Sequence, residues 1–345
     1  MELGLYNFLE MKPEHVSGNA QQTHQRYKEM MEEIALADKL GLDIYAIGEH
    51  HRPDFVVSSP AVVLAAAAAV TKNIRLSSAV TVLSSDDPVR VFQDFATLDQ
   101  LSGGRAEIMA GRGSFIESFP LFGYDLNDYD ELFSEKLEML IQLNESEKIS
   151  WSGKHRAAIN NLGVYPRPLQ EKIPLWIAVG GTPESVVRAA KLKLPLAIAI
   201  IGGTPDRFAP FAQLYRDRWE KSGNDPKALQ LSINSHGYIA DDGDKARDEY
   251  WPSFASAMNR LGKERGWSGI DREQYDFMCS DTGALFVGSP QEIIDKILYE
   301  YKLFGHTRFL LQMSVGTMPH EKNMRSIELF GSVVAPAVRK ALKKM

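Results

Sequence analysis

Short apolar runs return along this chain, each followed by a stretch with helical spacing, and that alternation is what most narrows the folds open to it. Residues 3–9 and 44–47 read as strands. Between them, over 21–40, Tyr27, Met30, Met31, Ile34, Ala37 and Leu40 fall three or four residues apart, as one face of a helix requires. Gly41 stops that helix, because glycine enters the left-handed conformation of a helix end without steric cost. The unit, about 30 residues long, then repeats. Further strands are predicted at 74–83, 105–110, 175–179, 196–201, 231–240 and 307–313, with helices between them and a closing helix at 321–342. Eight strands alternating with helices predict an α/β fold, a (β/α)8 TIM barrel. An open doubly wound sheet competes with it, but no Gly-x-Gly-x-x-Gly follows the first strand and no Walker sequence occurs. Two segments break the rhythm and read as insertions in a single domain spanning 1–345. One is 147–168, with a turn at Trp151-Ser152-Gly153 and breaking prolines at 166 and 168. The other, polar and aromatic, is 241–280; it follows a strand end, where lids over active sites belong.

Composition excludes several functions. Charged residues make up 24% and apolar residues 44%, the balance of a soluble globular protein. A net charge of −6 offers nothing to nucleic acid or an anionic membrane. No apolar run approaches the roughly 20 residues that span a bilayer. The first residues, Met1-Glu2-Leu3-Gly4, lack the basic and apolar regions of a signal peptide. The single cysteine, Cys279, excludes an intrachain disulfide and a Cys-based zinc site. A cytoplasmic protein is expected. Ser58-Ser59-Pro60 opens a helix, 61–70, that is apolar on every face. An outer barrel helix needs a polar side, so this one is expected to be covered by a second subunit, or else by another part of the same chain.

Candidate chemistry clusters after strands. Gly48-Glu49-His50-His51-Arg52 follows strand 44–47, and barrel enzymes carry their chemistry at C-terminal strand ends. Neighbouring side chains on extended backbone face opposite ways, so only one histidine should face a pocket. His50 is the candidate and His51 the structural partner; in the competing reading both pack locally. Gly180-Gly181-Thr182-Pro183-Glu184-Ser185 follows the fifth strand. Its glycines admit close approach to the backbone, Thr182 and Pro183 suit a helix start, and the helix end favours an anion. Gly202-Gly203-Thr204-Pro205 repeats the pattern, so one of the two is expected to be capping only. Arg112, between Gly111 and Gly113, is placed to bind a phosphate in bidentate fashion, or to pair with a surface acid. The fourth and fifth strands are barrel neighbours, so Arg112 and the 180–185 loop are predicted to converge on one phosphate. His236 reads as a core histidine, Glu107 as a buried barrel charge with a partner, and Asp86-Asp87 as a helix cap. No ligand set for a metal is evident.

Gly48-Glu49-His50-His51, Asp87-Pro88-Val89-Arg90, Leu98-Asp99-Gln100-Leu101-Ser102-Gly103-Gly104-Arg105, Gly111-Arg112-Gly113 and Gly180-Gly181-Thr182-Pro183-Glu184-Ser185 resemble, in order and spacing, the bacterial luciferase-like flavin monooxygenases. The resemblance covers nearly the whole chain and is densest over 41–123. It implies a barrel that takes reduced FMN from a separate flavin reductase, forms a flavin C4a-hydroperoxide with O2 and oxidises a small organic substrate. It implies that His50 is catalytic, that Arg112, Gly180, Gly181, Thr182 and Ser185 hold the phosphate, and that a cis peptide at Ala79–Val80 lies under the flavin ring. It also implies a homodimer through helices 59–71 and 88–102. The luciferase α subunit has a reactive cysteine just before the phosphate arginine. That position here is Gly111, which argues against light emission. Two alternatives stand beside this reading: hydride transfer with the deazaflavin F420, and flavin binding without turnover.

Overall fold

Residues 1–11 and 20–344 are described by a computed structural model. Parallel strands close on themselves. β1 (Glu2–Asn7) pairs with β2 (Ile44–Ile47), and β2 with β3 (Arg75–Ser78). The third stave resumes as β4 (Thr81–Val82), and both pieces pair with β5 (Ala106–Gly111). A two-stranded antiparallel hairpin, β6 (Lys148–Trp151) and β7 (Ile159–Gly163), fills the first insertion. β5 then pairs with β8 (Leu175–Val179), β8 with β9 (Leu196–Ile200), and β9 with β10 (Leu231–Ile239). Beyond β10 lies the short β11 (Phe286–Gly288); β12 (Arg308–Gln312) pairs with β10 and also with β1. That last pairing makes the sheet a closed barrel of eight staves and rules out an open doubly wound sheet. Most barrel-strand residues are buried on both faces, as parallel strands covered by helices must be.

Two details depart from the sequence pattern. The third strand is split at Ala79–Val80, where the peptide is cis, as the resemblance implies. The 241–280 segment is helical, Gly243–Arg265 and Arg272–Cys279. It is followed by β11 and a helix, Pro290–Phe304, that strand-and-helix counting passed over. β11 has three residues and gains its stability from pairing with the far end of β10, so its own sequence carries little strand signal.

The N-terminal end of the barrel is sealed by charge. Arg308 donates to both carboxylate oxygens of Glu107, at 2.7 and 2.9 Å. Ser77 Oγ donates to Glu107 at 3.0 Å, and the guanidinium lies 3.8 Å above the centre of the Trp176 ring. Glu107 therefore has the buried partner expected of it. Above this layer, Tyr6, Ile44, Ala46, Met109, Ala197 and Leu310 fill the interior. At the opposite, C-terminal end, the Gly243–Arg265 helix is fastened to two loops. Arg260 meets Asp54 at 3.1 Å, Glu264 meets Arg52 at 2.7 Å, and Arg265 donates to the Ser114 carbonyl at 2.9 Å.

Candidate functional site

His50 sits just beyond β2 and is 8% exposed. Its backbone N–H donates to the Val57 carbonyl. Its ring is stacked on Phe55, with centroids 4.0 Å apart and planes 13° apart, and is bordered by Phe8 at 4.7 Å and Phe115 at 5.5 Å. Burial, with His51 and Arg52 nearby, pulls its pKa down to about 3. An imidazole ordinarily titrates near neutrality; here desolvation disfavours the cation, and His50 is neutral at ordinary pH. Its Nδ1 has no partner among the described residues. His51 has a partner of its own, Nε2 at 2.8 Å from Glu49 Oε1, while Glu49 Oε2 accepts the Val82 N–H. Both rings nevertheless line one small pocket with Glu49, Val82 and Phe115, so alternation gives them different partners and does not place them on opposite sides. His236 is buried on β10, and burial draws its pKa to about 4.

Arg112 and the 180–185 loop come together as predicted, because β5 and β8 are adjacent. Arg112 Nη2 donates to Thr182 Oγ1 at 3.2 Å, and Thr182 Oγ1 donates to Ser185 Oγ at 2.8 Å. Thr182 holds the N-cap position of helix Pro183–Lys191, yet its side chain makes no cap bond; the hydroxyl is turned to Arg112 and Ser185 instead. A Cβ built on Gly180 would meet nothing within 4 Å, so its surface is open space, and Gly181 has φ +119°, a region glycine enters without strain. The competing reading of Arg112 is realised as well: Nη1 lies 2.5 Å from Asp130 Oδ1. Asp130 was missed because it lies on a separate helix, Tyr129–Glu145. Arg188 was missed too, although its place three residues after Ser185 puts the two on one helix face. Asp87 is a cap, accepting the N–H groups of Val89 and Arg90. At Gly111 a Cβ would lie 2.7 Å from Val80 Cγ2, so this backbone has no room for a cysteine side chain there.

Across the barrel from β2, Ile201, Gly202 and Gly203 line a cavity of about 620 Å³ together with Phe254, Met258, Trp267, Phe277 and Met278. The second glycine pair therefore opens onto an apolar groove, open to solvent, beside the two 241–280 helices. Thr204 makes no side-chain cap bond there either.

The model of the luciferase-like monooxygenase family matches residues 1–308. The chain belongs to that family. Luciferase-like monooxygenases share this barrel in solved structures. The monooxygenase RslO1 from Streptomyces bottropensis superposes with a TM-score of 0.85 at 24% identity, covering 97% of this chain and 99% of that one. The oxygenating constituent of 3,6-diketocamphane monooxygenase from Pseudomonas putida, solved with FMN, gives 0.78 at 19% identity, with 98% of both chains covered. The F420-dependent tetrahydromethanopterin reductase of Methanopyrus kandleri gives 0.74 at 19% identity, covering 97% and 99%. Among the described residues no helix is long and apolar enough to cross a membrane.

Proposed function

We propose that the protein is an FMN-dependent monooxygenase that receives reduced FMN from a separate reductase and uses O2 to oxidise a small organic substrate. The observation that carries this reading is the meeting of Arg112, Thr182 and Ser185 from two adjacent staves. A guanidinium, two hydroxyls and a helix N-terminus suit a terminal phosphate. The open surface of Gly180 fits a group that must lie close to backbone. Arg112, Gly180, Gly181, Thr182 and Ser185 would hold the phosphate end, and Ala79 and Val80 the ring. Reduced FMN, when bound, supplies the electrons and the oxygen-activating chemistry. His50 serves as a neutral hydrogen-bonding group with a free Nδ1 among aromatic walls, able to hold a hydrogen bond next to the reacting atoms. The Gly243–Arg265 helix keeps water from the mouth, and the open apolar groove at Ile201–Trp267–Phe277 receives the substrate.

The working unit in this reading is a cytoplasmic homodimer. Helices Pro60–Val70 and Pro88–Ser102 pack together and leave Val62 70%, Val70 50% and Leu101 64% exposed, an apolar face that a second copy would cover.

Hydride transfer with F420 is the second reading, favoured by the barrel shared with the F420-dependent reductase. Anaerobic calorimetry with reduced FMN, riboflavin and F420 separates the two. FMN is expected to bind more tightly than riboflavin by about tenfold or more, a gain that Arg112→Ala removes. F420 binding more tightly than FMN would overturn the proposal. Flavin binding without oxygen uptake in a substrate screen would leave a non-catalytic flavin protein.

A further inference from the structure

The phosphate end of the site already holds an anion of the protein's own. Asp130 Oδ1 lies 2.5 Å from Arg112 Nη1 while Nη2 of the same guanidinium reaches Thr182. Arg188, on the helix face that carries Ser185, is close enough to feel the charges of both Arg112 and Asp130. Its Nη1 is buried and has no hydrogen-bond partner among the described residues, and its guanidinium lies 5.4 Å from the Phe133 ring centre. Arg112 alone bonds the carboxylate; Thr182 and Ser185 continue the chain of bonds behind Arg112, and the second guanidinium, that of Arg188, is near enough to act through its charge. That carboxylate is the group most free to leave. Asp130 is in the first turn of its helix and its side chain is 72% exposed. Arg112 keeps other support without it: the guanidinium lies 5.1 Å from the Tyr129 ring centre, and the Tyr129 hydroxyl donates to the Gly113 carbonyl at 3.0 Å.

We propose that Asp130 is an internal competitor for the cofactor's phosphate, occupying Arg112 when the site is empty and giving way when the cofactor enters. This rests on the reading that Arg112 holds that phosphate. An exposed ion pair is held by only about fivefold at most, so displacement is easy. The carboxylate left beside a doubly charged phosphate then weakens its grip. The outcome is a site of moderated affinity, suited to a cofactor that arrives from solution and departs again. Asp130 is a positioning and affinity-setting residue; it does not touch the reacting atoms.

The test is calorimetric binding of FMN and riboflavin to the wild type and to Asp130→Asn. Asp130→Ser is a second variant that keeps a polar side chain in the first helical turn. Either substitution is expected to tighten FMN by about three- to tenfold and to leave riboflavin unchanged. The gain should shrink as salt is raised from about 0.05 to 0.5 M. In the Arg112→Ala background, Asp130→Asn should give no gain. An unchanged FMN affinity in a wild type that still prefers FMN to riboflavin would overturn the proposal and leave the phosphate site standing. An equal gain for riboflavin would also overturn it, because the effect would then come from the loop and not the phosphate. A gain that persists without Arg112 would replace competition with long-range repulsion. If neither protein prefers FMN to riboflavin, the phosphate reading of Arg112 fails and the proposal falls with it.

Discussion

Arg52, on the loop after the second stave, and Glu264, in the last turn of the Gly243–Arg265 helix, meet at 2.7 Å. The same guanidinium holds Asp54 at 3.0 Å and Glu117 at 2.5 Å. One side chain therefore ties the cover of the barrel mouth to the segment that carries His50. Glu264 is partly exposed, so Glu264→Gln should lower global stability by no more than about 1 kcal/mol. It should still speed hydrogen exchange along the C-terminal half of the helix, since local opening is set by such contacts. Arg52→Ala should cost about 3 kcal/mol in urea unfolding, because Asp54, 1% exposed, would keep only Arg260. Unchanged exchange of the helix in both variants would mean that the ion pairs do not fasten it.

His50 is expected to stay neutral from pH 5 to pH 8, since burial holds its pKa near 3. Nitrogen chemical shifts of labelled histidine should show rings that fail to titrate above pH 5, those of His50, His236 and His306, and one of these signals should be lost in His50→Ala. That variant should oxidise substrate about 100-fold more slowly or worse while binding FMN within about threefold of wild type. Oxidation at the wild-type rate would remove His50 from the mechanism.

Stability should fall as pH rises from 6.5 to 8. Burial lifts Glu10 from 4.5 to about 7 and Glu300 from 4.5 to about 8. A carboxyl whose pKa is raised by folding contributes stability below its unfolded pKa, and that contribution is lost as pH climbs to the folded value. His50, His236 and His306 are all pushed down by burial from 6.5, so above pH 6.5 they are neutral in both states and add nothing. The loss should approach about 1.4 kcal/mol per pH unit for each carboxyl still protonated in the fold. Thermal unfolding at pH 6.5 and 8 measures it. Glu300→Gln, which cannot titrate, should flatten the slope; an unaltered slope would show that Glu300 is ionised in the fold.

Removing one member of the buried Glu107–Arg308 pair should be worse than removing both. Glu107→Ala leaves an uncompensated guanidinium and should cost about 3–5 kcal/mol. Glu107→Leu with Arg308→Met should cost less, by chemical denaturation of the single and double variants. A double variant less stable than either single one would contradict this account.

Val62→Glu is expected to turn the proposed dimer into a monomer in sedimentation velocity, with little change in folding, since Val62 is 70% exposed in the single chain. A wild type that sediments as a monomer would dispose of the dimer.

What the sequence made legible follows the range of the signal. Strand and helix periods are local, so all eight staves could be read. The approach of Arg112 to Thr182 was legible because a barrel's neighbours follow from strand order. Three features were not. The partner of Glu107 lies 201 residues away, and no local pattern announces it. Asp130 reads as an ordinary first-turn acid until the fold brings it against Arg112. The aromatic wall of His50 is assembled from Phe8, Phe55 and Phe115, three separate segments with no shared spacing.

The sealed N-terminal end of the barrel fixes traffic. With Glu107, Arg308 and Trp176 closing that end, nothing passes through the barrel. Whatever enters does so past the rim and must leave the same way; in the proposed reading, a ligand seated deeper would arrive before one seated nearer the rim and leave after it. A substrate held at the rim would narrow the exit of anything bound below it. Product would then have to clear the doorway before a spent cofactor is exchanged.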